Sequence, residues 1–430
     1  MLNFVAVCVT IIAGAIPGPQ AGNLDAGRAY GGEAPYGNVP SSEVLEPPKG
    51  YSLFFVQTVG RHGSRTSVPS EENERILQLW EQAEEADALT ETGEGLKADI
   101  EKFRADEKEL GAGQLTSLGK NELHGLGRRT AENYADFFTR AQEDGDEIAF
   151  VTSNMKRTKD SAAAMKSAIQ ERYPDLNIAK DAVSNRTLRI SGNTSATGRD
   201  HIRRLKRTQD IEQAAHNALT NLYQPLFIET QIKDQVGAAI DLYRLYQRGP
   251  GMRSETDVSF EKYIDRADAE IIGDEQAGEK FYQYGPGIRD EDASFKAARP
   301  LLNDFMKRLQ ERVDGGKTAA VFRHSHGETV MPFTALTQLR SANYQEYKGG
   351  LYTAAGNPWR TYLSGLIGGS IEWAAYRNKA GKVLLTLRFN EEPSRFSKAC
   401  KFAVEAPKVE SGFYTLAEIK SCIKSTGGFR

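Results

Sequence analysis

Leu53-Phe54-Phe55-Val56 and, four residues on, Arg61-His62-Gly63-Ser64-Arg65 decide the fold. The apolar run reads as a buried strand. The charged residues that follow set an imidazole between two guanidinium groups at the strand's C-terminal end, the edge where open α/β sheets take up ligands. Arginine forks match phosphate oxygens, and a histidine held neutral between cations is a nucleophile. The chemistry implied is phosphoryl transfer to His62. Arg-His-Gly alone recurs by chance, and Gly63 can simply end a strand, so the weight falls on partners further along the chain.

Two more apolar runs end in the same kind of residue. Ile148–Thr152 leads into Ser153-Asn154-Met155-Lys156-Arg157-Thr158, with helix expected from Ser161. Thr318–Phe322 leads into Arg323-His324-Ser325-His326-Gly327-Glu328-Thr329. Neighbouring strands of one parallel sheet would bring Arg61, His62, Arg65, Arg157, His326 and Glu328 to one edge. Arg61, Arg65 and Arg157 then hold the non-bridging oxygens of a phosphomonoester by charge-assisted bonds. His326, when protonated, adds a fourth donor. His62 attacks in line, and Glu328, expected to stay protonated by burial, donates to the leaving alkoxide. The arginines neutralise the charge, so no metal or other cofactor is called for.

The composition of the 430 residues, 39% apolar and 26% charged, is that of a globular protein. A net charge of −3 argues against nucleic acid as a bulk electrostatic partner. Phe4–Ile16 is apolar, too short to span a bilayer, carries the small-residue cleavage site Ala13-Gly14-Ala15 and is followed by Pro17, Gly18 and Pro19. It reads as a secretory signal, although no Lys or Arg precedes its apolar core. Export to a periplasm, cell surface, medium or endomembrane lumen is expected, with no membrane association after the signal is removed. Cys8 lies in that segment; Cys400 and Cys422 are then expected to form a disulfide. No Cys/His cluster has zinc spacing.

The expected organisation is a signal peptide over 1–22, an extended arm over 23–50, an α/β domain from 51–169 and 311–430, and a mainly helical subdomain inserted at 170–310. The Glu71–Leu110 stretch is helical in spacing, with Ile76, Leu77, Leu79 and Trp80 apolar and an acidic face toward solvent. Leu115-Thr116-Ser117-Leu118-Gly119 opens another helix, to about Phe138, with Thr116 as N-cap. Gly249-Pro250-Gly251 and Gly285-Pro286-Gly287 read as loops, and Asn378–Gly381 as the turn of a hairpin between Ile371–Tyr376 and Val383–Phe389.

These blocks, in this order, resemble the histidine acid phosphatases, the second branch of the histidine phosphatase superfamily. That family opens with Arg-His-Gly-x-Arg-x-Pro, matched by Arg61 to Ser67 with Ser67 in place of the proline. Its Leu-Thr-x-x-Gly block matches Leu115–Gly119, the following Leu-Gly matches Leu126-Gly127, and its Ser-x-x-x-Arg-Thr block matches Ser153–Thr158. The late His-Ala-Glu of the multiple inositol polyphosphate phosphatases corresponds to His326-Gly327-Glu328, where acid phosphatases and many phytases have His-Asp. The resemblance implies a three-layer α/β/α sandwich with a central mostly parallel sheet, an active site in the cleft against the helical insertion, and inositol polyphosphates, including phytate, as substrates.

Two readings of the basic run Arg199, Arg203, Arg204, Lys206 and Arg207 stay open: a solvated helix face, or contacts to a polyanion whose other phosphates lie outside the clamp. His324 competes with His326 for the late histidine role, but spacing to Glu328 favours His326. His124, His201 and His216 read as ordinary histidines. The rival functions are a broad acid phosphatase or sugar phosphatase, and a non-catalytic polyanion-binding protein.

Overall fold

The apolar run at Leu53 is the middle of a longer strand. In the computed structural model, which describes residues 27–37, 44–68, 71–406 and 411–426, β1 spans Tyr51–Arg61. The expected signal peptide over 1–22 lies outside the described residues. β1 alternates its side chains between two apolar clusters, with Leu53 and Val56 in one and Phe55 and Val59 in the other. From Phe55 on this is the period of two of a strand covered on both faces, and the register shift between Leu53 and Phe55 puts Leu53 on the Val56 side.

The other strands are β2 (Glu147–Thr152), β3 (Asn177–Ile178), β4 (Ala182–Val183), β5 (Thr318–Ser325), β6 (Ser370–Asn378), β7 (Val383–Phe389), β8 (Glu392–Ser394), β9 (Val404–Ala406) and β10 (Ser411–Thr415). They form one sheet in the order β3-β2-β5-β1-β6-β7-β10-β9, with β4 on β2 and β8 on β7. Through β3-β2-β5-β1 the pairing is parallel. From β1 outward through β6 and β7 it is antiparallel, and β6 and β7 form the expected hairpin. The fold is thus α/β, its central sheet parallel from β3 to β1 and antiparallel beyond.

β5 outruns its expected end at Phe322 and carries Arg323, His324 and Ser325 within the strand. Polar residues are tolerated there because Arg323 is satisfied: its Nη2 and Nε donate to Asp304 at 2.7 and 2.9 Å, and its Nη1 to Gln57. The sheet's two faces are covered differently. Leu123, Phe138, Met165 and Ile169, from helices Ser117–Asn133, Ala135–Glu143 and Lys156–Arg172, pack on one side. Leu301, Phe305 and Phe333, from helices Arg299–Val313 and Gly327–Leu336, pack on the other.

A separate apolar cluster joins helices from two stretches of chain. Ile76, Trp80, Ile100 and Phe103 come from helices Glu72–Glu85 and Leu96–Leu110. Leu219, Tyr243 and Ile272 come from helices Gln209–Thr220, Gln235–Met252 and Arg266–Tyr284. The loop expected at Gly249-Pro250-Gly251 is instead the last turn of helix Gln235–Met252. Its glycines are buried, so packing against this cluster outweighs the backbone bond that Pro250 removes. The Gly285-Pro286-Gly287 loop is present, with Gly287 at φ 66°. Cys400 and Cys422 are joined in a disulfide. No helix among the described residues is long and apolar enough to cross a membrane.

Candidate active site

The strand order puts the three sequence blocks side by side. Arg61 aligns with Ser325 across β1 and β5, and Thr152 aligns with His324 across β2 and β5. Each strand leaves the sheet at the same edge, carrying Arg61, His62 and Arg65 from β1, Arg157 from the helix after β2, and His326 and Glu328 from the start of helix Gly327–Leu336 after β5. The turn out of β2 is made by Asn154 at φ 63°, a left-handed position that asparagine accepts more readily than most residues. The His62 and His326 rings lie edge to face, 5.5 Å between centroids.

The loop after β1 is held by backbone packing that only glycine permits. A Cβ on Gly63 would lie 2.2 Å from the Gly119 carbonyl oxygen, and one on Gly119 would lie 2.0 Å from the Ser64 oxygen. Thr116 caps helix Ser117–Asn133 as expected, accepting from Gly119 N at 3.0 Å. Its backbone N–H also donates to the Ser64 carbonyl at 3.0 Å. The Leu-Thr-x-x-Gly block therefore serves as a buttress for the Arg-His-Gly loop. Ser67, where the family has proline, ties the loop down differently. Its N–H and its hydroxyl each donate to a Glu107 carboxylate oxygen, both at 2.6 Å, and a proline has no N–H to give.

His62 is 2% exposed, and its Nδ1 lies 2.8 Å from the Gly63 carbonyl oxygen. That oxygen can only accept, so the ring proton sits on Nδ1 and Nε2 keeps its lone pair. Burial, reinforced by Arg61, Arg65 and Arg157, pushes the imidazole well below its usual pKa, so the ring is neutral. Around it, Arg61, Arg65 and Arg157 each have a buried Nε–H with no acceptor in the protein. Buried donors are rarely left so, and three together describe a place for an anion.

His326 departs from expectation. Burial first, then Arg157, lowers it to about 4, so it is neutral rather than a standing fourth cation. Arg157 Nη2 lies 3.3 Å from its Nδ1, which must accept, and its Nε2 then donates to Ser153 Oγ at 2.7 Å. Ser153, the serine of its block, thus fixes the His326 ring. Glu328 also departs from expectation: its side chain is solvent-accessible, not buried among apolar groups. Surrounding protein opposes its ionisation, but Arg61, its own backbone N–H, Lys280 and His326 together hold the carboxyl below the ordinary glutamate value. In the free protein it is a carboxylate.

His324 points elsewhere. It is buried, stacked on Phe150 at 6.4 Å, and lowered to about 4 by burial alone. The basic run lies on and just after helix Ala196–Leu205, and Arg199, Arg203, Arg204, Lys206 and Arg207 are all exposed. Arg203 is paired with Asp200 at 3.1 Å. The cations that act on the clamp are others. Arg248 is felt by Arg65, Lys280 by Glu328 and Arg189 by His326. Arg248 also keeps a buried Nη1 without an acceptor. Nothing in their local sequence sets these three apart from other surface cations, because only the fold brings their charge near the clamp.

Comparison with known proteins agrees with this geometry. Residues 52–359 match the model of the histidine phosphatase superfamily (branch 2). No curated protein matches the chain. Among solved structures, the Bifidobacterium longum multiple inositol polyphosphate phosphatase in complex with inositol hexasulfate is similar, with TM-score 0.85 and 23% identity over 92% of this chain and 97% of that one. The phytase from D. castellii gives TM-score 0.67 and 14% identity over 93% and 84%. A Hafnia alvei phytase in complex with myo-inositol hexakis sulphate gives 0.55 and 12% over 88% and 98%.

Proposed function

Because the chain belongs to the histidine phosphatase superfamily (branch 2), we propose that it is a phosphomonoester hydrolase working through a phosphohistidine at His62, with inositol polyphosphates, phytate included, as its substrates. The observation that carries this is the neutral His62, its Nε2 free, among three arginines that each keep a buried Nε–H without an acceptor in the protein.

In the first step His62 Nε2 attacks phosphorus as the bond to the leaving alkoxide breaks. Arg61, Arg65 and Arg157 hold the equatorial oxygens through the charge build-up. The alkoxide takes a proton from Glu328. That carboxyl is ionised in the free protein, and the arriving phosphate charge favours its protonation. In the second step water attacks the phosphoryl group, Glu328 takes the water's proton, and the P–N bond breaks to return a neutral His62. His326, hydrogen-bonded to Arg157 and Ser153, keeps the distal arginine in place.

The substrate class is supported by Arg189, Arg248 and Lys280, cations beyond the clamp whose charge reaches its residues, and by the inositol hexasulfate bound to the Bifidobacterium longum relative. A ring bearing several phosphates needs such cations, because one phosphate fills the clamp at a time. We also propose export, with 1–22 as its signal, a reading supported by the Cys400–Cys422 disulfide. The test is phosphate release, with chelator present, from phytate and from an aryl phosphate side by side. Preference for phytate with successive intermediates is expected; equal or better turnover of the aryl ester would reduce the reading to a general acid phosphatase.

A further inference from the structure

The Arg61 guanidinium already has partners on one side. Its Nη1 donates to the carbonyls of Gly32 and Gly365, and its Nη2 donates to a carboxylate oxygen of Glu33. Glu33 ends the short 3-10 turn Gly31–Glu33 of the N-terminal arm, ahead of the residues that the family model matches. Arg65 and Arg248 also act on it. The arm's backbone cannot swing away, because it is pinned on both sides of this residue. Upstream, Gly32 O is held by Arg61. Downstream, Tyr36 N donates to buried Glu122 at 2.8 Å, and Tyr36 Oη donates to Glu391, which is itself gripped twice by Arg129. Only the Glu33 side chain, 22% exposed, is left to move.

We propose that Glu33 is a resident counter-anion of the phosphate clamp, competing with the phosphoryl group and with product phosphate for Arg61 and so setting how loosely the site holds them. This rests on the phosphatase reading of the clamp. A carboxylate and a phosphoryl group offer a guanidinium the same pair of oxygens. Bringing phosphate to Arg61 therefore either breaks the Arg61–Glu33 pair or sets two anions side by side, and either one subtracts from affinity. Burial opposes the charge on Glu33, but Arg61, Arg65 and Arg248 hold its carboxyl down at about 2, so the competitor is always present. A pocket of three arginines without such a group would bind product phosphate tightly, and release would limit turnover.

The rival role for Glu33, as a prop that fixes Arg61, predicts the opposite sign. The experiment uses the full chain and its Glu33→Gln and Glu33→Asp variants. It measures inorganic phosphate by direct titration and as an inhibitor, kcat and KM on an aryl phosphate, and thermal melting as a check of folding. Loss of the charge should tighten phosphate and lower KM by roughly tenfold, while Asp, which keeps the charge, stays near the wild type. Weaker or unchanged phosphate binding in the folded Gln variant overturns the proposal. Arg157→Ala is run in the same titration. If it abolishes phosphate binding while Gln brings no tightening, the counter-anion idea fails alone. If it leaves phosphate binding unchanged, the clamp reading falls and takes the proposal with it.

Discussion

Two arginine-rich regions of this molecule differ in everything but residue type. At the sheet edge, Arg61, Arg65 and Arg157 keep buried N–H groups without an acceptor. On helix Ala196–Leu205 and just beyond it, five basic residues stand in solvent, Arg203 already paired with Asp200 and Arg199 bonded to the Thr194 carbonyl. A solvated guanidinium gives up water to bind an anion and gains little. A buried N–H without an acceptor gains nearly the whole bond. Cation density along a sequence is therefore a poor guide to an anion site, and unmet buried donors are a good one.

The largest effect should come from the centre of the first region. His62→Ala removes the nucleophile and should cut phosphate release by at least about 10⁴-fold with the thermal transition retained; ordinary turnover in that variant would break the contrast at its root. Arg157→Ala, which also frees His326 Nδ1, should cost about 10²–10³-fold in kcat/KM for any phosphate ester. Glu328→Gln should lower kcat/KM, which reports formation of the phosphoenzyme, by about 10²-fold for alkyl esters and far less for aryl esters, because only the poor leaving group needs the proton, while kcat falls for both as the phosphoenzyme waits for its base.

The pH profile sharpens the same point. His62, lowered well below 6.5, stays an unprotonated nucleophile as pH falls through that value, so no activity is lost there. Glu328, lowered below 4.5 in the free protein, must be protonated to act, so kcat/KM should fall as pH rises through that depressed value. Glu328→Gln should flatten this limb. The smallest effect belongs to the second region. Arg203→Ala with Arg207→Ala should change KM for phytate by less than about threefold, whereas Lys280→Ala should raise it more. A large loss from the exposed pair would erase the distinction between the two regions.

Much of the sheet was legible because strand-ending motifs tie chemistry to topology. An apolar run with period two fixes where the chain leaves the sheet, and parallel pairing brings such exits together whatever their separation in sequence. Arg61, His62, Arg65, Arg157, His326 and Glu328 meet at one edge for this reason. What was not legible depends on tertiary surroundings. The protonation states of His326 and Glu328 are set by tertiary surroundings, burial and then Arg157 for one, and Arg61 and Lys280 against burial for the other. The helix through Pro250 survives because its glycines are buried, a context no local rule contains. Glu33 sits in an arm whose composition reads only as irregular, and nothing in the sequence says that it faces Arg61.

The central claim is that His62 carries the phosphoryl group, and the direct test is to trap it. The Glu328→Gln variant, mixed with an aryl phosphate and quenched in alkaline denaturant to spare the acid-labile P–N bond, should yield protein bearing one phosphoryl group, mapped by peptide mass analysis to the segment containing His62. Phosphate release with no protein-bound phosphoryl group at any time, or with the group on another residue, would contradict the account.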